Sequence, residues 1–461
     1  KREPNIQIHS VDVRGDRSMT LRHTQHDRKP LEPESTQDVL KHLHRLWGFN
    51  VHLHSFDGTK KTESFTCPVT EDESKEESVV SFIKLTTYKR QVAIKVQNYV
   101  GVVQTPCGAQ IEILPKLYTQ ENHELSIENV RAQLLKMLHT LRDSPFKEAG
   151  RASLYDARIP LLEIYISRFL GLVGKLVKRG VRSDYIQTRK NVSFLKGRLL
   201  VTEQIRRNSH HPDRFYTEYQ EYQFNRPANR LIKTALEIVH QRSSNVHNQR
   251  LAREYSFVFN EVPSTSDVSQ DFQRVKIDRS MGHYKDVLAW CKVLLKGHGP
   301  TNSAGEFNTL TLLYPMERVF EDYVAHCLRK AIRDYVPEAD SVKTQARKHN
   351  LVESHKGKPI FNLRPDILVM AQGRALMVMD TKWKLLDQSD RSKKYGLSQA
   401  DMYQLYAYGH KYLGGNEHKD LILIYPKTPA FHTELDVFRY EDQFHLKVVP
   451  FDVISGKLLL G

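Results

Sequence analysis

Residues 364–382 read RPDILVMAQGRALMVMDTK, and the fold of the C-terminal third follows from this stretch. Residues 365–370 and 375–382 are rich in Leu, Val, Ile and Met, so we expect each to form a β-strand. The Gln-Gly-Arg sequence at 372–374 lies between them and predicts a three-residue loop. The stretch is therefore predicted to fold as a β-hairpin.

Three charged side chains converge in this predicted hairpin. With a three-residue loop, residue 366 pairs with residue 380, so Asp366 lies beside Asp380. Because side chains alternate faces along a strand, Lys382 projects from the same face as Asp380. Two carboxylates and one ammonium on one face are the groups that metal-dependent phosphodiester cleavage requires. The sequence Asp-x-Lys also occurs by chance on the solvent-exposed face of a strand, and this alternative stays open.

The chemistry assigns a role to each of these groups. Asp366 and Asp380 are candidate ligands of Mg²⁺, with Mn²⁺ as a substitute, because both ions prefer oxygen donors. The backbone carbonyl of Thr381 is a third candidate ligand. Lys382 is the candidate cation that steadies the attacking water and the charge that develops on the phosphate.

Two predicted helices add further candidate residues. Glu321 lies in the helix predicted at Met316–Tyr335 and is a candidate further acid, although it also fits an ordinary surface glutamate. Gln404 lies in the helix predicted at 398–412, with Tyr408 on the same helical face. Its alternative role is a packing contact between this helix and a sheet.

The elements around the hairpin divide the chain into three parts. Residues 309–461 place helix, hairpin, helix and a buried strand at 421–425 in that order, which predicts an α/β domain with a mixed sheet. Residues 80–308 begin with strand-rich segments and continue into a helical, basic region. Residues 1–79 form a polar extension of unknown role. We therefore expect a multi-domain α/β protein with a β-rich N-terminal region, a helical basic middle and a C-terminal α/β domain.

A basic group lies in the middle region. A short strand predicted at 185–188 is followed by a predicted loop and then by a basic helix that continues to residues 206 and 207. The group comprises Arg189, Lys190, Lys196, Arg198, Arg206 and Arg207. We expect these side chains to contact DNA phosphates or an acidic face of a partner protein, with a purely solvated surface as the alternative.

The composition limits the class of protein. The 461 residues carry a formal net charge of +15, which favours a polyanionic partner such as nucleic acid. The four cysteines are scattered, so neither a disulfide framework nor a zinc ribbon is indicated. No apolar run approaches the roughly 18–20 residues that a membrane span requires. A cytoplasmic protein without membrane contact is expected.

Six separated segments carry a resemblance to a known family. The segments are 195–199 with 205–207, 227–233, 283–285, 363–384, 403–405 and 423–426. In this order they resemble the McrC nuclease subunits of McrBC modification-dependent restriction systems, within the PD-(D/E)xK nuclease superfamily. Residues 101–116 are similar to the N-terminal region of longer members of that family.

The resemblance implies a Mg²⁺-dependent restriction endonuclease that cleaves double-stranded DNA. Asp366, Asp380 and Lys382 then form the nuclease motif, and Gln404 matches a glutamine on the helix beyond it. The resemblance also implies a partner, the AAA+ GTPase McrB, whose hexamers recognise and translocate modified DNA. The nuclease subunit docks on the hexamer and stimulates its GTP hydrolysis.

Two further expectations concern nucleotide and self-association. The chain contains no G-x-x-x-x-G-K-[ST] phosphate loop, so we expect no nucleotide to bind to it. PD-(D/E)xK nucleases often dimerise to cut both strands, so a homodimer is expected. A stand-alone nuclease and a non-catalytic adaptor that activates a GTPase stay open as alternative functions. The residues do not say which DNA modification is recognised.

Overall fold

The computed structural model describes most of the chain from residue 98 onward. The described residues are 98–104, 110–118, 125–142, 159–277, 279–297, 310–415, 419–441 and 443–460, with the backbone of four short strands nearer the N-terminus. Most of the predicted extension 1–79 therefore lies outside them. The chain divides into two compact units, of which the first comprises Lys1–Leu161 with His298–Gly461 and the second Leu162–Gly297.

The structure is mixed α/β, as predicted. The strands in chain order are β1 (Ile6–Ile8), β2 (Arg22–His23), β3 (Ile83–Tyr88), β4 (Gln91–Val96), β5 (Tyr99–Gln104), β6 (Gln110–Ile113), β7 (Asp184–Val192), β8 (Arg198–Leu199), β9 (Phe215–Gln223), β10 (Leu310–Pro315), β11 (Ser341–Thr344), β12 (His349–His355), β13 (Lys358–Leu363), β14 (Ile367–Ala371), β15 (Arg374–Thr381), β16 (Lys419–Pro426), β17 (Phe438–Arg439), β18 (Phe444–Asp452) and β19 (Lys457–Leu458). The helices in chain order are α1 (Ile127–Leu138), α2 (Leu161–Arg179), α3 (Val201–Asn208), α4 (Pro227–Arg242), α5 (Val246–Val258), α6 (Val268–Arg274), α7 (Lys285–Lys296), α8 (Met316–Tyr335) and α9 (Gln399–Leu413).

A mixed sheet forms the centre of the first unit. Its strand order is β11-β14-β15-β16-β18-β17, with β19 on β18, and β15, β16 and β18 run parallel. The middle strands are buried on both faces, as expected for parallel strands covered by helices. Helix α8 packs its Phe320 and Tyr323 rings against Phe451 of β18, at 5.9 and 6.1 Å. Helix α9 contributes Leu405 and Tyr408 to a core with strands β15, β16 and β18.

The hairpin of β14 and β15 has the predicted register but a different turn. Gln372 and Gly373 both have positive φ, 47° and 78°, and form a two-residue turn whose twist suits a hairpin. The predicted three-residue loop is therefore wrong. A β-bulge next to the turn leaves one extra residue on β15, and Ile367 consequently pairs with Met379. Asp366 and Asp380 are the next residues along the two strands, as the predicted pairing requires.

A two-stranded ribbon, β12 and β13, is inserted between β11 and β14. Its base is held against helix α9. The Tyr412 hydroxyl lies 3.1 Å from the carbonyl oxygens of both Ala346 and Leu363, which share its one donated proton. The His349 ring meets the Tyr412 ring edge-on at 4.7 Å. The ribbon is therefore fixed at both chain ends where it leaves the sheet.

The second unit is helical but also contains a small sheet of order β7-β9-β8. The strand predicted at 185–188 extends over Asp184–Val192, and Arg198 lies in β8. The prediction of a loop is therefore wrong for Arg189, Lys190 and Arg198. Strand β9 was not predicted. Among the described residues, no helix combines the length and the apolar character that crossing a membrane requires.

The packing of helix α9 on the sheet yields a stability prediction. A Cβ added at Gly409 would lie 2.7 Å from Cε1 of Phe444 and 3.0 Å from Cδ2 of Leu421, both fully buried. Gly409→Ala should therefore lower the free energy of unfolding by about 1–3 kcal/mol, even though alanine favours helix. Gly415→Ala is the control, because nothing lies within 4 Å of its added Cβ. Urea unfolding that finds both variants equally stable would contradict this packing.

Candidate active site

The three residues of the predicted nuclease motif, Asp366, Asp380 and Lys382, lie with Thr381 at one end of the β14–β15 hairpin. Asp366 directly precedes β14, while Asp380 and Thr381 end β15 and Lys382 follows. Because the two strands are antiparallel, the start of one and the end of the other meet at the same edge. The structure therefore brings together the groups that the sequence predicted to converge.

Asp380 is the most buried acid of this cluster, with 2% of its surface exposed. Its Oδ2 lies 2.5 Å from Nζ of Lys382. The same oxygen accepts no hydrogen bond of regular geometry from the described residues. Burial and the neighbouring charge of Asp366 raise the pKa of Asp380 to about 7, against the opposing effect of Lys382.

Lys382 is a partly buried cation held between the strand and helix α9. Burial acts to lower its pKa, but the carboxylates of Asp380 and Asp366 outweigh this effect and raise the pKa. Its Nζ donates to Oε1 of Gln404 at 3.3 Å, and Nε2 of Gln404 donates to the Tyr408 hydroxyl at 2.7 Å. Gln404 thus contacts the motif directly, as its candidate role required, and Tyr408 orients it.

Asp366 is fixed by three hydrogen bonds. Its Oδ2 accepts from the backbone amide of Thr381 at 2.9 Å and from the Thr381 hydroxyl at 2.8 Å. Its Oδ1 accepts from Nε2 of Gln345 at 3.2 Å. Burial raises the pKa of Asp366, and these hydrogen bonds act in the opposite direction. Thr381 therefore positions an acid of the cluster, while its carbonyl remains a predicted ligand.

Glu321 joins the cluster through residues that the sequence analysis did not identify. Nε2 of Gln345 also donates to Oε1 of Glu321, at 2.8 Å, so one amide bridges Glu321 and Asp366. The guanidinium of Arg142 pairs with Glu321 and with the buried Asp322. Burial and the charge of Asp366 raise the pKa of Glu321.

These additional residues carry no local sequence signal. Arg142 lies 179 residues from Glu321 along the chain, and Gln345 lies 21 residues from Asp366. Neither spacing follows a helical or strand period. A further pair, Lys384 with Asp401 at 2.8 Å, lies beside the cluster.

The donor set of this cluster fits a Mg²⁺ ion. Among the described residues, no three acid, histidine or cysteine side chains form a complete metal cage. Mg²⁺ does not require one, because it usually binds one or two carboxylates and keeps several waters. Asp366 and Asp380 supply two carboxylates, and Oδ2 of Asp380 is a buried acceptor without a regular hydrogen bond.

The predicted basic group lies in the second unit, where most of its members are paired with acids. The pairs are Arg189 with Glu218 at 2.7 Å, Lys190 with Glu221 at 2.9 Å, and Arg206 and Arg207 with Glu203 at 3.8 and 2.7 Å. Nζ of Lys196 lies 4.4 Å above the ring of Tyr219, and Arg198 pairs across the sheet with Glu218. The surface is therefore less positive than the sequence of residues 189–207 suggests.

The same segment exposes apolar side chains. Phe194, Leu195, Val201 and Ile205, here called the apolar patch, are each 59–66% exposed within twelve consecutive residues. Val201 and Ile205 are four residues apart on α3 and so share one helical face. Exposed apolar clusters of this kind mark interaction surfaces more often than isolated exposed side chains do.

Two protein-family models match separate parts of the chain. The model of the McrBC 5-methylcytosine restriction system component matches residues 94–426. The model of the SpoVR-like C-terminal domain matches residues 4–58. A stretch of 51 residues is 63% identical to the uncharacterized protein YcgB of Escherichia coli (strain K12), covering 11% of this chain. The chain spans about a tenth of the length of that relative.

Two solved structures match the chain, and the first of them is similar in fold. One is described as a refined half-complex from a tetradecameric assembly of Thermococcus gammatolerans McrB AAA+ hexamers with bound McrC. It superposes with a TM-score of 0.55 at 19% identity and covers 81% of this chain and 82% of its own. The cryo-EM structure of the Thermococcus gammatolerans McrBC complex matches at a TM-score of 0.40 and 20% identity, over 62% of this chain and 78% of that one.

The raised pKa of Asp380 predicts a pH-dependent stability difference. Between the usual value of 3.8 and about 7, the folded state holds a proton that the unfolded state has released. This contribution to stability is complete at low pH and is lost as the pH rises through about 7. Asp380→Asn stays neutral at every pH, so its stability relative to the natural protein should rise by roughly 2 kcal/mol or more between pH 5 and pH 8.

The measurement is urea unfolding in EDTA at both pH values. Asp436→Asn, at an exposed position, is the control and should show the same offset at each pH. If the difference in free energy of unfolding between Asp380→Asn and the natural protein is the same at both pH values, the pKa of Asp380 is not raised.

Proposed function

Because this chain belongs to the McrBC 5-methylcytosine restriction system component family, we propose that it is the nuclease subunit of a GTP-driven restriction complex. In this proposal it is a Mg²⁺-dependent endonuclease of the PD-(D/E)xK type that cleaves double-stranded DNA. It docks on an AAA+ GTPase hexamer of the McrB kind and stimulates its hydrolysis. The observation that carries the proposal is the cluster at one strand edge of buried Asp380 with half-buried Asp366 and Lys382.

The acids of the cluster are the proposed metal site. Asp366 and Asp380 would hold Mg²⁺, with the Thr381 carbonyl as a further oxygen donor. A bound Mg²⁺ supplies a Lewis acid for the scissile phosphate and lowers the pKa of a water molecule. Burial and then the repulsion between neighbouring carboxylates raise the pKa values of Asp380 and Glu321, and a divalent cation would relieve that repulsion.

The remaining residues of the cluster stabilise charge on the substrate or orient the charged side chains. Lys382 keeps its charge and retains 19% exposure of its side chain, so it can donate to a phosphate oxygen or to the attacking water. Gln404 holds its ammonium from the α9 side. Gln345 and Thr381 hold Asp366, so the carboxylate need not reorganise when the substrate arrives.

The sequence and the apolar patch both support a GTPase partner. The 461 residues contain no G-x-x-x-x-G-K-[ST] phosphate loop, and in this proposal the partner hydrolyses the GTP. The apolar patch of the second unit is our candidate docking surface, because the cations around it are neutralised by Glu203, Glu218 and Glu221. An apolar surface with internally paired charges suits a protein partner better than a polyanion. Cutting both strands further calls for two copies of this chain in the active assembly.

Cleavage of plasmid DNA tests the catalytic assignment. The full chain, its GTPase partner, GTP and Mg²⁺ should cleave modified DNA, with Mn²⁺ able to replace Mg²⁺. Asp380→Ala should lower the rate by at least about 100-fold, because it removes a metal ligand, and Lys382→Ala should do so by loss of transition-state stabilisation. Asp436→Ala, an exposed substitution of the same kind, should leave the rate unchanged.

The outcomes separate the competing functions. Cleavage without partner or nucleotide would favour a stand-alone nuclease. Undiminished GTPase stimulation together with no cleavage under any condition would favour a non-catalytic adaptor. Full cleavage by Asp380→Ala would remove the active-site assignment itself.

Substitution in the apolar patch tests the docking surface. Ile205→Glu should weaken association with the GTPase and reduce GTPase stimulation at least about tenfold, because it places a charge in a desolvated contact. Val246→Glu is the matched control, since Val246 is 78% exposed in the same unit but outside the patch. Analytical ultracentrifugation and a GTPase assay measure both effects. Equal stimulation by the two variants would place the docking surface elsewhere.

A further inference from the structure

The segment between β11 and β14, residues 347–364, is here called the basic ribbon. Strands β11 and β14 pair with each other, with Thr344 opposite Ile367, so the ribbon leaves and re-enters the sheet at one point. That point is the candidate active site, because the Gln345 amide donates to the Asp366 carbonyl at 3.1 Å. The ribbon therefore rises directly from the residues that hold the acid cluster.

The ribbon carries an unpaired positive charge. Five exposed cations, Arg347, Lys348, Lys356, Lys358 and Arg364, are accompanied by one acid, Glu353. Glu353 is already paired with Lys411 of α9 at 2.8 Å. In the part of the chain that the structure describes, none of the five cations forms an ion pair within 4 Å. This is the opposite of the basic group in the second unit, where acids neutralise most cations.

The ribbon also stores conformational strain. Gln345 at its base, Lys356 at its tip and Phe361 on β13 have φ of 51°, 50° and 58°. Residues with a Cβ pay an energetic cost in this left-handed region, and glycine or asparagine would relieve it. Strained residues persist only where the surrounding structure holds them, and they cluster at functional sites. Lys356 places a cation at the tip where a turn of this type favours a neutral residue.

Phe361 has no packing role that would explain its conformation. It is 67% exposed and lies opposite Leu351, itself 52% exposed, because Asn350 pairs with Asn362 and Val352 with Ile360 on either side. An exposed aromatic ring next to an exposed leucine, between cations, suits contact with sugars and base edges. A two-stranded ribbon has the width that the DNA major groove admits.

We propose that the basic ribbon is the element that seats duplex DNA over the acid cluster. Its lysines and arginines contact phosphates, and Phe361 with Leu351 contacts the sugars and base edges of the groove. Because the ribbon is anchored on α9 through Tyr412, it presents these groups without prior ordering. The inference rests on the proposed nuclease function and adds the surface by which the substrate is held.

Equilibrium binding of a fluorescein-labelled duplex to the full chain, in EDTA and over a series of salt concentrations, tests this inference. Lys356→Ala with Lys358→Ala should weaken binding and reduce the slope of log K against log salt by about 2, one unit per lost phosphate contact. Phe361→Gly should weaken binding without changing that slope. It should also leave the melting temperature unchanged or raised, because glycine tolerates the positive φ.

The matched control removes two cations from the same domain. Lys330→Ala with Arg374→Ala lowers the charge equally, but Arg374 lies at the far end of the β14–β15 hairpin and Lys330 lies about 13 Å along α8 from Glu321. This control should retain duplex affinity and slope. Ribbon variants that bind like the control would overturn the inference, as would equal losses in all charge variants.

Cleavage assays of the same variants separate this inference from the proposed function. If the ribbon variants keep full duplex affinity and Asp380→Ala is inactive, DNA binding by the ribbon is refuted and the proposed nuclease function stands. Weakened duplex binding by ribbon variants, combined with full cleavage by Asp380→Ala, would refute the assigned catalytic site and leave the ribbon as a DNA-binding surface. A preference of the ribbon for single-stranded over duplex DNA would also count against the proposal.

Discussion

Buried Asp380 and half-buried Asp366 and Glu321 lie together at one end of the β14–β15 hairpin, and the surrounding structure must offset their charge. Uncompensated burial of even one carboxylate is costly, and each neighbouring charge adds to the cost. The protein meets this cost with two cations and with hydrogen-bond donors. Lys382 faces Asp380, Arg142 faces Glu321, and Gln345 donates to Glu321 and Asp366 at once. The cluster is therefore held close to a geometry that its own repulsion opposes, which is the state that a divalent cation stabilises most.

The same strand pairing that builds the cluster also fixes the basic ribbon. Thr344 and Ile367 pair immediately before the chain departs into the ribbon and immediately after it returns. A shift of one residue in this register would move Asp366 to the other face of the sheet and would detach the ribbon from α9. Acids and ribbon are thus not independent features. Any change that loosens β14 alters both the proposed metal ligands and the ribbon.

The sequence predicts those parts of the site that depend on neighbours along the chain. The hairpin register follows from alternation over a short stretch, and helix α8 has the predicted bounds because its apolar period is strong. The turn was wrong because a two-residue turn with a bulge and a three-residue loop give the same register. Strand β9 escaped prediction because Glu and Gln interrupt its strand-favouring Phe, Tyr and Thr residues. Gln345 and Arg142 escaped it because only tertiary folding brings them to the acids, and no periodicity encodes that approach.

The structure shows which cations of this basic chain are available to bind a partner. The value of +15 favours a polyanion, but it does not say which cations are available. In the second unit most cations of the basic group form ion pairs with Glu203, Glu218 and Glu221. The apolar patch beside them is therefore better suited to a protein partner. In the ribbon the cations have no acidic partners among the described residues, which leaves them for phosphates. Phosphate contacts carry no sequence information. In the proposed complex, phosphate contacts of this kind would tolerate movement of the duplex past the acid cluster.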